Sequence, residues 1–154
     1  MKRKTMLLAL AMCVAGATTS FAADPQMGTW KLNEAKSKFS AGATKNSTVV
    51  YEAAGDNVKV VVDGVDGTGQ KIHSEWTGKF DGKDYPVTGD ATGDMRAYKK
   101  LNDRTMTFNQ KKAGKIILSG RIVVSADGKS RTVTTKGTNA QGKPASATAV
   151  YDKQ

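Results

Sequence analysis

The sequence predicts an all-β protein, a single antiparallel up-and-down β-barrel of about ten strands. Apolar and polar residues alternate in short runs, almost without interruption, from Met27 to Asp152, the pattern of half-buried strands. Between the runs stand Gly55-Asp56-Asn57, Asp66-Gly67-Thr68-Gly69, Asp81-Gly82, Asn102-Asp103, Ala113-Gly114, Asp127-Gly128 and Ala140-Gln141-Gly142, which supply positive φ for hairpin turns at little steric cost. Links this short make each strand antiparallel to the one before it. A meander of so many strands would leave two unpaired edges if it stayed flat, so it closes into a barrel or folds into a sandwich. A Greek-key sandwich needs a long crossing connection, and only the link after the first strand has any length. The barrel is the reading that fits.

The strands are expected at 27–33, 47–54, 58–65, 70–80, 83–88, 94–101, 104–111, 115–125, 130–138 and 145–152. Only the stretch from Asn33 to Ala41 has helical character, a turn or two with Asn33 as N-cap and Phe39 as apolar anchor. Pro86 interrupts the short fifth strand, which places an edge, a bend or a pinched opening near Tyr85-Pro86-Val87. Gly64, Gly78 and Gly120 fall inside strand patterns, where glycine marks bends or bulges.

The first 22 residues are set apart from this pattern. Lys2, Arg3 and Lys4 form a positive region, Met6 to Ala17 an apolar one, and Ser20-Phe21-Ala22 a small-x-small cleavage site, together a secretory signal cut after Ala22. The apolar run is shorter than the roughly 20 residues that span a bilayer, which argues against a stable membrane anchor. Lipidation at Cys13 would need a small residue before it, and Met12 occupies that place. Cleavage removes the only cysteine. The product, residues 23–154, is then one domain in the periplasm or beyond, with no disulfide and no thiol metal site.

The chain carries 24 Lys and Arg against 14 Asp and Glu, and the cut product stays basic. Such a charge attracts anions of many kinds, but the lysines are scattered and doubled only at Lys99-Lys100 and Lys111-Lys112. A solvated surface accounts for them, and no nucleic-acid partner is expected.

At this point the residues resemble known proteins. Gly28-Thr29-Trp30 resembles the G-x-W signature of the lipocalins, and Gly28 to Leu32 is similar to the opening of the fatty-acid-binding proteins. Both are calycin barrels. The set Gly28 to Asn33, Ser37 to Phe39, Asp81 to Asp90 and Val150 to Lys153 resembles, over the whole exported domain, a group of small exported bacterial proteins with no assigned activity. The resemblance implies a lipocalin-like barrel, with Gly28, Trp30 and Lys153 as a structural signature in which Lys153 packs on Trp30. Two departures stand out. Fatty-acid-binding proteins hold the ligand carboxylate with an Arg-x-Tyr on the last strand, whereas Ala149-Val150-Tyr151 keeps only the Tyr. The segment from Glu34 to Asn46 is also too short for their two-helix lid.

No residue pattern names a reaction. His73 is the only histidine; alternation turns it away from Ile72, Ser74 and Trp76, and a lone histidine makes a poor metal site. No G-x-S-x-G accompanies it. The acidic runs Asp63 to Gly67 and Asp90 to Asp94 lack the spacing and the final Glu of a calcium loop and read as turns. The candidates for ligand binding are Arg96, Arg121 and Arg131, because a guanidinium inside a strand pattern needs an anionic partner if it points inward, together with Tyr85, Tyr98, Tyr151 and Trp76. Whether the barrel is hollow or packed is open from the sequence. The expectation is a monomeric, non-enzymatic binding protein, without cofactor or metal, for a small hydrophobic, amphipathic or anionic ligand. The rival is an envelope stress, interaction or inhibitor module with a solid barrel that grips a protein or a cell-wall polymer.

Overall fold

In the computed structural model, which describes residues 24–154, ten strands follow one another: β1 (Gly28–Phe39), β2 (Lys45–Ala54), β3 (Asn57–Val65), β4 (Lys71–Gly78), β5 (Tyr85–Thr88), β6 (Met95–Asn102), β7 (Thr105–Lys112), β8 (Lys115–Val124), β9 (Ser130–Thr138) and β10 (Pro144–Lys153). Each pairs antiparallel with the next, and β1 closes the circle by pairing with both β2 and β10. The protein is a closed up-and-down barrel. The expected signal peptide and Cys13 lie outside the described residues.

Two expectations are corrected. The stretch after Asn33 forms no helix: β1 runs on to Phe39 and, after a bulge between Asn33 and Lys38, pairs Lys38 and Phe39 with Thr148 and Ala147. Asn33 does cap, its Oδ1 accepting from Lys36 N at 3.2 Å, but it caps the bulge. The Ser37 hydroxyl then accepts the ladder bond of Val150 N at 2.9 Å and donates to Asn33 O at 2.7 Å, so a side chain replaces the backbone pairing that the bulge interrupts. Nor does Pro86 mark an open edge. It lies opposite Met95, and the sheet continues through β5 with two paired residues on each side.

Glycines act in two ways. Gly28 has φ of +103°, a conformation that other residues adopt rarely, and this lets the chain turn into the sheet just before Trp30. Gly64 lies opposite the bulge in β2, where a Cβ would stand 2.2 Å from Lys45 O. Gly78 and Gly120 make no bulge and are covered by rings instead, Tyr85 over the first and Phe108 over the second.

Alternation along strands of known direction shows how the interior is filled. Odd-numbered strands run from the end that holds the segment Asp24–Met27 toward the opposite end, and even-numbered strands return. Near the N-terminal end the inward side chains are large and buried: Trp30, Val58, Val60, Trp76, Met106 and Val124. The segment Asp24–Met27 closes that end. Trp30 Nε1 donates to Gln26 O at 2.9 Å, the Gln26 amide donates to Arg104 O at 3.2 Å, and Lys100 pairs with Asp24 at 2.8 Å. Toward the other end small inward residues, Ser74, Thr135, Ala145, Ala147 and Ala149, stand among the larger ones and leave space between them. The barrel is packed in one half and hollow in the other.

Candidate functional site

The hollow half is a cavity of about 220 Å³, opening among the β1–β2, β3–β4, β5–β6 and β9–β10 loops. Its walls are mainly apolar, with Val62, Ile72, Phe108, Leu118, Ile122 and Val133 among them. Alternation selects these residues, since each is an inward position of its strand. Tyr51, Tyr98, Arg131 and Tyr151 line it on the side of the packed half and form its floor.

Arg131 is the distinctive group. It is only 2 % exposed, and its guanidinium carbon lies 4.8 Å from the Trp30 ring centre, 4.9 Å from Tyr51 and 5.0 Å from Tyr151. Its Nε and Nη1 have no hydrogen-bond partner. The strand register places it directly opposite Tyr151. Burial pushes the Tyr151 hydroxyl up to about 12, although the nearby Arg131 charge pulls the other way. Tyr51 is held well above its ordinary value, again chiefly by burial, with Tyr98 adding to the rise and Arg131 opposing it. Both phenols are neutral where proteins operate, and neither serves Arg131 as a counter-ion.

Arg96 makes the opposite case. It is also buried, but Gln110 Oε1 accepts from its Nε and Nη2 at 3.2 and 2.6 Å, and Asp90 Oδ2 lies 3.2 Å from Nη2. The Gln110 amide donates to Asp90 Oδ2 at 2.8 Å and to the Thr92 hydroxyl at 3.2 Å. Asp90 Oδ1 in turn accepts from Thr92 N and Gly93 N at 2.9 and 3.2 Å. This network ties the β5–β6 loop to the cavity rim and leaves the Arg96 charge balanced.

Of the residues singled out from the sequence, Arg96, Tyr98, Arg131 and Tyr151 line one cavity. Three stand away from it. Arg121 is exposed, because its neighbours Gly120 and Ile122 take the inward positions of β8. Trp76 lies beneath the cavity in the packed half, its ring edge-on to Tyr98 at 4.8 Å and its Nε1 donating to Arg96 O at 2.9 Å. Tyr85 packs edge-on to Trp76 at 5.7 Å and donates its hydroxyl to Asp81 at 2.9 Å. Lys153 Nζ lies 5.1 Å from the Trp30 ring centre, and its stem passes over Gly28. Tyr51, Asp90, Thr92 and Gln110 were missed. Tyr51 was within reach, since it alternates with Val49 on β2; the network of Asp90, Thr92 and Gln110 joins a loop to a strand across 20 residues, which no local pattern reveals.

His73 projects outward from β4, between Asp63 at 2.6 Å and Glu75 at 3.5 Å. Hydrogen bonds to Asp63 and then Glu75 raise its pKa. It lies on the outer face and takes no part in the cavity. Among the described residues no helix is long and apolar enough to cross a membrane.

No protein-family model matches the sequence, and no curated protein matches it. Two solved structures are similar in outline. EF1p2_mFAP2b, solved bound to DFHBI, is 11% identical with a TM-score of 0.47, and the match covers 86% of this chain and 97% of that one. A redesigned beta barrel, mFAP1, also bound to DFHBI, is 16% identical with a TM-score of 0.43, covering 86% of this chain and 98% of that one. Likeness of this degree carries nothing about ligand or family. The ten-strand closed barrel, read from the chain's own strand pairing, is calycin-like in architecture.

Proposed function

We propose that this protein is an exported, non-enzymatic carrier of the lipocalin-like kind, which holds a small amphipathic or anionic ligand inside its barrel. The observation that supports this most is the division of the interior into a packed half and a hollow, open-mouthed one. A barrel whose only task was to present its outer face would gain stability from filling that space. An apolar pocket with a few fixed polar groups is the ordinary form of a small-molecule site. Export rests on the signal pattern ahead of Ala23, and the likeness to small exported bacterial proteins points the same way. The non-enzymatic reading rests on the cavity side chains: Arg131 is wrapped in rings, Arg96 is locked to Asp90, and the lone histidine lies on the outer face.

Native mass spectrometry of protein recovered from its own cell envelope, followed by organic extraction, tests the proposal. A co-purified small molecule, released on denaturation, is the expected result. An empty protein that shows no thermal shift across a panel of lipids and organic acids would overturn the carrier reading and leave the solid-surface interaction module.

A further inference from the structure

We propose that the outer wall formed by β7 to β10 docks a linear polyanion, a flexible polymer with phosphate groups along its length. This surface faces away from the cavity, and the inference is independent of the carrier reading.

The charge of the barrel is divided between two arcs of its wall. From Asp24 to Arg104 twelve basic residues stand against twelve acidic ones, whereas from Thr105 to Val150 eight basic residues stand against one acid, Asp127. Because β7, β8, β9 and β10 are neighbours in the ring, this division along the sequence is also a division in space. The arc from β1 to β6 is neutral, and the opposite arc carries the whole positive surplus of the described residues.

Six of the eight bases are free to meet a partner. Arg131 points inward and is buried, and Lys111 is paired with Asp84 at 2.6 Å. Lys112, Lys115, Arg121, Lys129, Lys136 and Lys143 are exposed, and among the described residues no carboxylate forms an ion pair with any of them. Asp127 is turned into its own hairpin, where it accepts from Lys129 N at 3.0 Å.

The sheet sets these charges in a stripe. Lys112 and Lys115 face each other across the β7–β8 turn, and Arg121 lies six residues, about 20 Å of strand, further along β8. Lys136 stands on β9 opposite Ser119, two residues out of step with Arg121, so their Cα atoms are about 7–8 Å apart. The register brings Thr107, Thr134 and Thr148 level with Arg121. Hydroxyl groups of this kind donate to phosphate oxygens between the cations.

The same face argues against two other partners. A nucleic acid would be gripped through its bases by exposed rings, and the aromatic residues of these strands, Phe108 and Tyr151, both point inward. A bilayer would ask for a continuous apolar patch, whereas the exposed Ile116 and Val123 stand at opposite ends of β8 with Ser119 and Arg121 between them. What remains is recognition of the charges of a chain by a row of cations.

Fluorescence anisotropy of labelled inorganic polyphosphate, titrated with the purified protein over a range of salt concentrations, tests the inference. Binding should weaken with salt at a slope of about −3 in log affinity against log concentration, as expected for about four counter-ions released from a flexible chain. Replacing two of those contacts with Arg121→Gln and Lys136→Gln should make the slope shallower by about 1.4 and lower the affinity about 25-fold at ~0.1 M salt. Lys71→Gln with Lys79→Gln, on β4 across the barrel, removes the same net charge and should change the affinity less than about threefold. All four side chains are exposed, so neither pair of substitutions disturbs the core. Equal losses in the two double variants would overturn a localised surface, and no binding at low salt would overturn the surface altogether. Vesicles containing phosphatidylglycerol that bind as tightly as the polymer, with the same sensitivity to Arg121→Gln and Lys136→Gln, would overturn the polymer in favour of a membrane.

Discussion

Raising the pH above 10 should unfold this barrel from the floor of its cavity. A tyrosine in the unfolded chain ionises near 10, whereas Tyr151 in the folded barrel holds its proton to about 12 and Tyr51 is held well above its ordinary value. Burial dominates in both cases, since a phenolate there would lose its hydration and the Arg131 charge beside it offsets only part of that loss. Above pH 10 the unfolded chain therefore binds fewer protons than the native one, and stability falls as pH rises. Below pH 10 the contribution is fully present. Each such tyrosine removes up to about 1.4 kcal/mol per pH unit, so Tyr151 alone takes away roughly 2 kcal/mol by pH 12. Tyr51 loses stability in the same window. For a domain stable by about 5–15 kcal/mol, the pair brings unfolding close. Urea melts between pH 8 and 11.5, read with the 295 nm absorbance of tyrosinate, measure the effect; Tyr151→Phe should lessen the slope of stability against pH by about 1.4 kcal/mol per unit. Titration of Tyr151 near 10 in the folded protein, or equal slopes for the two proteins, would mean that the floor is hydrated and would refute the reasoning.

Three further perturbations test other parts of the structure. Gly64→Ala drives a methyl group into Lys45 O and Asn46 Cα, where backbone must move, so the urea midpoint should fall by the equivalent of about 1–3 kcal/mol; an unchanged midpoint would mean that the β2 bulge is loose. Asp90→Asn leaves Arg96 buried without its counter-charge and should cost about 3 kcal/mol, accompanied by faster amide exchange at Thr92 and Gly93. His73, raised by Asp63 and then Glu75, should show an NMR titration midpoint above 6.5 that drops in Asp63→Asn; its stabilising contribution is present at acid pH and disappears as pH rises through that midpoint.

The fold was legible because its signals are local. Alternation and turn chemistry repeat at every hairpin, and each piece carries its own instruction, so ten strands and their order follow from reading along the chain. The end of β1 was not legible: Asn33 signals a cap, but whether it caps a helix or a bulge depends on Ser37 meeting Val150 N, 113 residues away. The sites of Arg96, Arg121 and Arg131 show the same limit. All three lie in strand patterns. Arg121 is assigned outward by Gly120 and Ile122 on either side, and a stricter use of alternation on β8 would have removed it. Arg131 shares a strand face with Val133, two residues on, so alternation turns it inward; what the sequence hides is the cage of Trp30, Tyr51 and Tyr151 around it, drawn from three other strands. The hollow half escapes the sequence for a different reason. It is set by the sum of small side chains such as Ser74, Ala147 and Ala149 contributed by strands far apart in the chain.

Methyl-resolved NMR of the valine, leucine and isoleucine side chains during octanoate titration tests the central claim most directly. Saturable shifts are expected at Val62, Leu118, Ile122 and Val133 in the hollow half, with Val58, Val60 and Val124 in the packed half hardly moving. Shifts confined to surface methyls such as Ile116 and Val123, or none at all, would contradict a barrel that carries its ligand inside.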